Sequence, residues 1–149
     1  MPELATSLRL SYVVARLERV IRQRLAAALE PYGLGVPHYT ALSILGRRSG
    51  LSNAQLARRT FVSPQSMNQV LDQLEQTGLI LREPHATHGR ILAVKLTRAG
   101  KATLAACDKA VDLMEAEVLK ELSAKEQDQL LHRLIGCVRS LHGGFEHLD

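Results

Sequence analysis

The chain of 149 residues has no tryptophan, and aromatic residues make up only 3% of it. Without large rings, an interior has to be assembled from Leu, Ala, Val and Ile, which points to packed helices. Two cysteines, Cys107 and Cys137, are too few for a disulfide framework. No stretch approaches the ~20 apolar residues that cross a bilayer, and a clearly apolar run such as Leu25 to Leu29 is far shorter. The first residues, MPELATSLRL, lack a basic region followed by an apolar one, so no secretory signal is expected and a cytoplasmic location is. Signs of catalysis are missing as well. There is no glycine-rich phosphate loop after a strand and no nucleophile with a recognisable base, so neither an enzyme nor a bound cofactor is expected.

What the chain does contain is ordinary for a globular domain with a real core: 46% apolar and 23% charged residues. The net charge of +4 conceals an asymmetry. Residues 1–101 hold 14 Lys and Arg against 6 Asp and Glu, whereas residues 102–149 hold 5 against 9. Concentrated basic charge of this kind is what a surface for a polyanion requires.

Apolar residues recur at helical spacing over 8–29, where Leu10, Val13, Val14, Leu17, Val20, Ile21, Leu25 and Leu29 alternate with arginines. EPYGLGVP breaks that pattern, and Pro37 suits the first turn of a second helix over 37–48. Ser52 with Gln55 forms a capping box for a short third helix. Ser63 caps a fourth, with Pro64 at its first position and Gly78 at its end. LILRE and RILAVKL, separated by PHATHG, predict a β-hairpin. Thr97 caps a fifth helix striped by Leu104, Cys107, Val111, Met114 and Val118. Ser123 with Glu126 opens a sixth, striped by Leu130, Leu131, Leu134, Ile135, Val138 and Leu141.

Helix, tight turn, amphipathic helix and hairpin in that order make a winged helix-turn-helix, whose second helix lies in the major groove of DNA. The fourth helix is dressed for that task. Met67, Val70, Leu71 and Leu74 share one side, and Ser63, Gln65, Ser66, Asn68 and Gln69 occupy the first turns of the other. An amide carries donor and acceptor together and pairs with adenine in bidentate fashion. Arg58, Arg59, Arg90 and Lys95 are the candidates for the phosphate backbone, and Arg90, next to Gly89 at the hairpin tip, for a narrow minor groove. Local ion pairs of Arg58, Arg59 or Arg82 with Asp72 or Glu75 are the alternative use of that charge.

The block LSNAQLARRTFVSPQSMNQVLDQLEQTGLILRE and the later GRILAVKLTRAG resemble the MarR-type transcriptional regulators over about residues 8–142. The resemblance implies a mainly α-helical protein, with a winged helix-turn-helix, a two-stranded β wing, and N- and C-terminal dimerisation helices. A single domain over 1–149 then divides into a DNA-binding lobe at 35–100 and dimerisation helices at 1–34 and 101–149. It implies a homodimer on a palindromic double-stranded operator, and a repressor released by a small aromatic effector. The apolar stripes at 8–29 and after Thr97 exceed what the central lobe can cover, which independently favours a partner subunit. An effector cleft would lie between the dimerising helices and the lobe, with Tyr12, Arg16, His38 and Tyr39 as candidates. The family commonly has acidic residues at the wing tip, where this chain has His85 and His88, and often a basic residue near Gln69, which is absent here.

Two other functions fit parts of the pattern. A winged-helix protein-interaction module would use the basic surface to grip acidic proteins without DNA. A metal- or thiol-responsive regulator would use His85 with His88, Cys137 with His142 and His147, or Cys107, although none of these sets has complete zinc spacing and no metal site is expected.

Overall fold

The helical and alternating patterns resolve, in the computed structural model, into six α-helices and one hairpin among the described residues, 8–143. They are α1 (Leu10–Leu29), α2 (Val36–Arg47), α3 (Asn53–Thr60), α4 (Pro64–Gln76), β1 (Ile80–Pro84), β2 (Leu92–Leu96), α5 (Arg98–Val118) and α6 (Ala124–Ser140). A short 3-10 turn, Glu30–Tyr32, follows α1 where the sequence predicted only a break.

The helix starts are set by local hydrogen bonds. Ser52 Oγ accepts from Gln55 N at 3.2 Å while Ser52 N donates to Gln55 Oε1 at 2.9 Å, completing the capping box of α3. Ser63 Oγ accepts from Ser66 N at 3.0 Å at the head of α4, whose first residue is Pro64. At its far end Gly78 takes φ +75°, a left-handed conformation that stops the helix without a Cβ penalty. The same conformation between α3 and α4 falls on Phe61, at φ 56°, where no glycine is available.

The hairpin is antiparallel, with Ile80 opposite Leu96 and Pro84 opposite Leu92. Leu51, between α2 and α3, adds a bridge to Val94 that the sequence did not announce; Val94 N donates to Leu51 O at 2.8 Å. Thr97 then does two things. Its hydroxyl accepts from Gly100 N at 3.0 Å, capping α5, and donates to Gly78 O at 2.6 Å, fastening α5 to the end of α4. Gly100 is buried so close to that junction that a Cβ there would lie 1.9 Å from Leu79 O.

The core lies inside the α2–β2 lobe and under α5. Leu42, Leu45, Leu56, Met67, Leu71, Leu74, Ile80, Val94 and Cys107 are fully enclosed. Each large aliphatic among them contributes about 1.5–3 kcal/mol of burial. The outer helices differ. Leu29 is the only buried residue of α1, and α6 buries none. Most of their apolar stripes face outward from the described chain; only the C-terminal end of the α1 stripe, Leu25 and Leu29, joins the core.

Candidate nucleic-acid interface

The α3–α4 pair is held as a unit. Leu56 and Ala57 of α3 pack with Met67, Leu71 and Leu74 of α4 in the shared core, and Asn53 Nδ2 donates to Pro64 O at 2.9 Å. That hydrogen bond ties the first turn of α3 to the first residue of α4. Burial of one face leaves the other to solvent. Ser63, Gln65, Ser66, Asn68 and Gln69 are all exposed, on the first two turns of α4.

These five side chains are not equally available. Ser63 and Ser66 are joined hydroxyl to hydroxyl at 2.9 Å. Asn68 is engaged further: its Oδ1 accepts from Arg82 Nη1 at 3.1 Å, and its Nδ2 faces Asp72 Oδ2 at 3.4 Å. Arg82, on β1, keeps only 16% of its side chain exposed and also bonds Asp72 and, at 2.7 Å, Glu75 Oε2. Glu75 first, and then Asp72, raise the affinity of the guanidinium for its proton above the ordinary value. The alternative of a local ion pair therefore holds for Arg82. It also shows why acids on α4 are compatible with a polyanion: both are neutralised in part from the strand side.

Among the backbone candidates, Arg58 at the end of α3 and Arg90 beside the wing tip are exposed, and neither forms an ion pair among the described residues. Arg59 is half-buried. Lys95 is exposed but bonded to Glu83 on the neighbouring strand. At the tip, the rings of His85 and His88 stand 5.6 Å apart, and His85 Nδ1 accepts from Thr87 N at 3.2 Å. Among the described residues no three His, Cys, Asp or Glu side chains gather as metal ligands. Cys107 is buried and Cys137 exposed; burial, and then Asp108, push the Cys107 thiol up, which disfavours a reactive thiolate. His147 lies outside the described residues. No described helix is long and apolar enough to cross a membrane.

The four effector candidates do not converge. Arg16 Nη1 donates to Tyr12 Oη at 3.0 Å, with the guanidinium 5.7 Å from the ring centroid, on the exposed side of α1. His38 Nε2 meets Gln73 Oε1 of α4 at 2.5 Å, and its Nδ1 is buried without a hydrogen-bond partner among the described residues. Tyr39, one residue on, turns the other way and donates to Asp108 of α5 at 2.7 Å. Burial, and then Asp108, raise its phenol well above the ordinary range. The cleft between α1, α2 and α4 is lined instead by Arg22, Pro37, Thr40, Ser66, Gln69 and Gln73, among others, and encloses about 410 Å³. Arg22, Thr40 and Gln73 carry no mark in the sequence that separates them from other surface polar residues.

Comparison with known proteins places these features in a family context. The model described as MarR family matches residues 32–91, from the turn after α1 to the wing. The HTH-type transcriptional repressor Rv2887 of Mycobacterium tuberculosis is 37% identical over 131 residues, covering 88% of this chain and 94% of the relative. A crystal structure of that MarR family protein in complex with DNA aligns with a TM-score of 0.77 at 34% identity, over 88% of this chain and 98% of the other. Its complex with salicylic acid aligns with a TM-score of 0.72 at 36% identity, over 89% and 98%.

Proposed function

This chain belongs to the MarR family, and from that premise we propose that it is a transcriptional repressor: a homodimer that grips a palindromic double-stranded operator and lets go when a small aromatic effector binds. The observation that carries the reading is the division of α4. Met67, Leu71 and Leu74 are locked into the core, and amides and hydroxyls of the first two turns face outward. A helix so placed fits a major groove, and Gln65 and Gln69 bring donor and acceptor to the base edges. Arg58, in the last turn of α3, and Arg90, at the wing, are exposed and suit phosphate and minor-groove contact.

Dimerisation follows from what α1, α5 and α6 leave uncovered. Leu10 is 73%, Leu113 76% and Leu131 58% exposed, and an apolar hollow lined by Ile21, Met114, Val118, Leu130 and Leu134 lies between the three helices. Apolar surface on that scale is covered in solution by another subunit. Residues 1–34 and 101–149 are assigned to that task and 35–100 to DNA. Two-fold symmetry would then set the two α4 helices about 34 Å apart, one turn of duplex.

The relative crystallised with salicylic acid supports an aromatic acid as effector. The cleft beside α4 has the size for one. Arg22, which donates to Glu18 on its own helix, offers its remaining donors to a carboxylate, and Pro37 and Val70 offer apolar walls to a ring. Ser66 and Gln69 belong both to its lining and to the face offered to bases. An occupant and an operator thus bid for the same side chains, which couples effector binding to release.

Selection of genomic fragments by the purified protein, followed by titration at two salt concentrations with and without salicylate, tests the proposal. Tight, sequence-selective binding that salicylate reverses is expected, and Arg22→Ala should raise the concentration required for release about tenfold, the loss of one charge-assisted hydrogen bond. Absence of duplex binding at low salt would leave the protein-interaction module as the better reading.

A further inference from the structure

Resting on the DNA-binding reading above, we propose that Arg82 is a positioning residue that decides what Asn68 can read: it occupies the amide oxygen and leaves Asn68 a donor only. Asn68 stands on the exposed face of α4, between Gln65 and Asp72. A free asparagine amide recognises adenine by accepting from N6 and donating to N7 at once. Here the acceptor half is spoken for, since Asn68 Oδ1 takes a hydrogen bond from Arg82 Nη1 at 3.1 Å. Rotating the amide by half a turn would bring its NH2 group against the guanidinium, donor against donor.

The orientation is fixed by more than that one bond. Asp72 Oδ2 lies 3.4 Å from Asn68 Nδ2, on the side where a donor is wanted. Asp72 and Glu75 hold the Arg82 fork in turn, and the side chain is largely enclosed between β1 and α4. The NH2 group has two hydrogens. One is directed at Asp72 and the other is left to face the groove.

A lone donor recognises an acceptor. Purine N7, guanine O6 and thymine O4 all accept, so Asn68 discriminates against cytosine, which presents a donor, without separating the two purines. Gln65 and Gln69 have no side-chain hydrogen bond among the described residues and keep both halves of their amides. Recognition by α4 is therefore uneven: two bidentate readers flank one that Arg82 has reduced to a single bond.

The test is base preference, which a merely structural role for Arg82 would not move. Randomised duplexes are selected by the wild type, Asn68→Ala and Arg82→Lys. Lysine keeps the charge for Asp72 and Glu75 but lacks the planar fork. Asn68→Ala should flatten preference at one position per half-site. There the wild type should accept adenine and guanine within about threefold, and Arg82→Lys should favour adenine about tenfold. Wild-type selection of adenine over guanine by tenfold at that position overturns the proposal, as does an Arg82→Lys profile superimposable on the wild type. If Arg82→Lys does not fold, the wild-type comparison alone decides. If the wild type selects no sequence at all, it is the DNA-binding reading that fails.

Discussion

Gly100→Ala isolates the joint that sets the wing against α4. Gly100 does not need an unusual backbone; it needs room, because a Cβ would sit 1.9 Å from Leu79 O. Ordinary contact begins at 3.4 Å, so the two backbones must separate by about 1.5 Å. The carbonyl cannot swing aside freely. It accepts from Thr97 N at 3.0 Å, and Leu79 N is itself held by Leu74 O at 2.9 Å. Overpacking of this kind costs about 1–3 kcal/mol, and the loss of the Thr97 bond about 1 kcal/mol more. At about 2–4 °C per kcal/mol for a chain of this length, the melting temperature should fall by roughly 5–15 °C. Circular dichroism melts at matched protein concentration measure it. Because Leu79 leads directly into β1 and Arg82, operator affinity should fall as well. A melting temperature within about 2 °C of the wild type would refute the reasoning, since it would show that α5 and the α4–β1 turn can part without loss.

Arg58→Ala should weaken operator and scrambled duplex equally and reduce the salt slope by about 0.9 per subunit, the signature of one lost phosphate contact; titration at four salt concentrations shows it. Tyr39 predicts alkaline sensitivity. Its folded-state phenol holds its proton above the free value of 10.0, so the stabilisation is fully present below pH 10 and drains away as pH rises beyond it. Urea unfolding should therefore show Tyr39→Phe less stable than wild type at pH 8, with the gap closing at higher pH; a constant gap would remove Tyr39 from the account.

What was legible in the sequence was what depends on neighbours within a turn. The boxes at Ser52 and Ser123, the cap at Ser63 and the stop at Gly78 rest on partners three or four residues away, and each is present as read. The hairpin and the buried side of α4 follow from periodicity and are equally plain. Contacts between distant segments were not legible. Arg82 and Asn68 are 14 residues apart and meet only because β1 folds back along α4. His38 and Tyr39, adjacent in sequence, diverge to α4 and α5 because successive helical residues point about 100° apart. The cleft lining comes from four helices and the α3–α4 turn, whose packing no local pattern encodes. The stripes of α1 and α6 were visible, but whether a stripe is covered within its own chain is a question of where the other helices lie.

The most direct test is the mass and footprint of the complex on a selected operator. Sedimentation of the protein with a duplex carrying that site should show two chains per duplex, with protection over two half-sites about 34 Å apart and a scrambled duplex bound far more weakly. One chain per duplex, or equal affinity for operator and scrambled DNA at every salt concentration, would contradict the account.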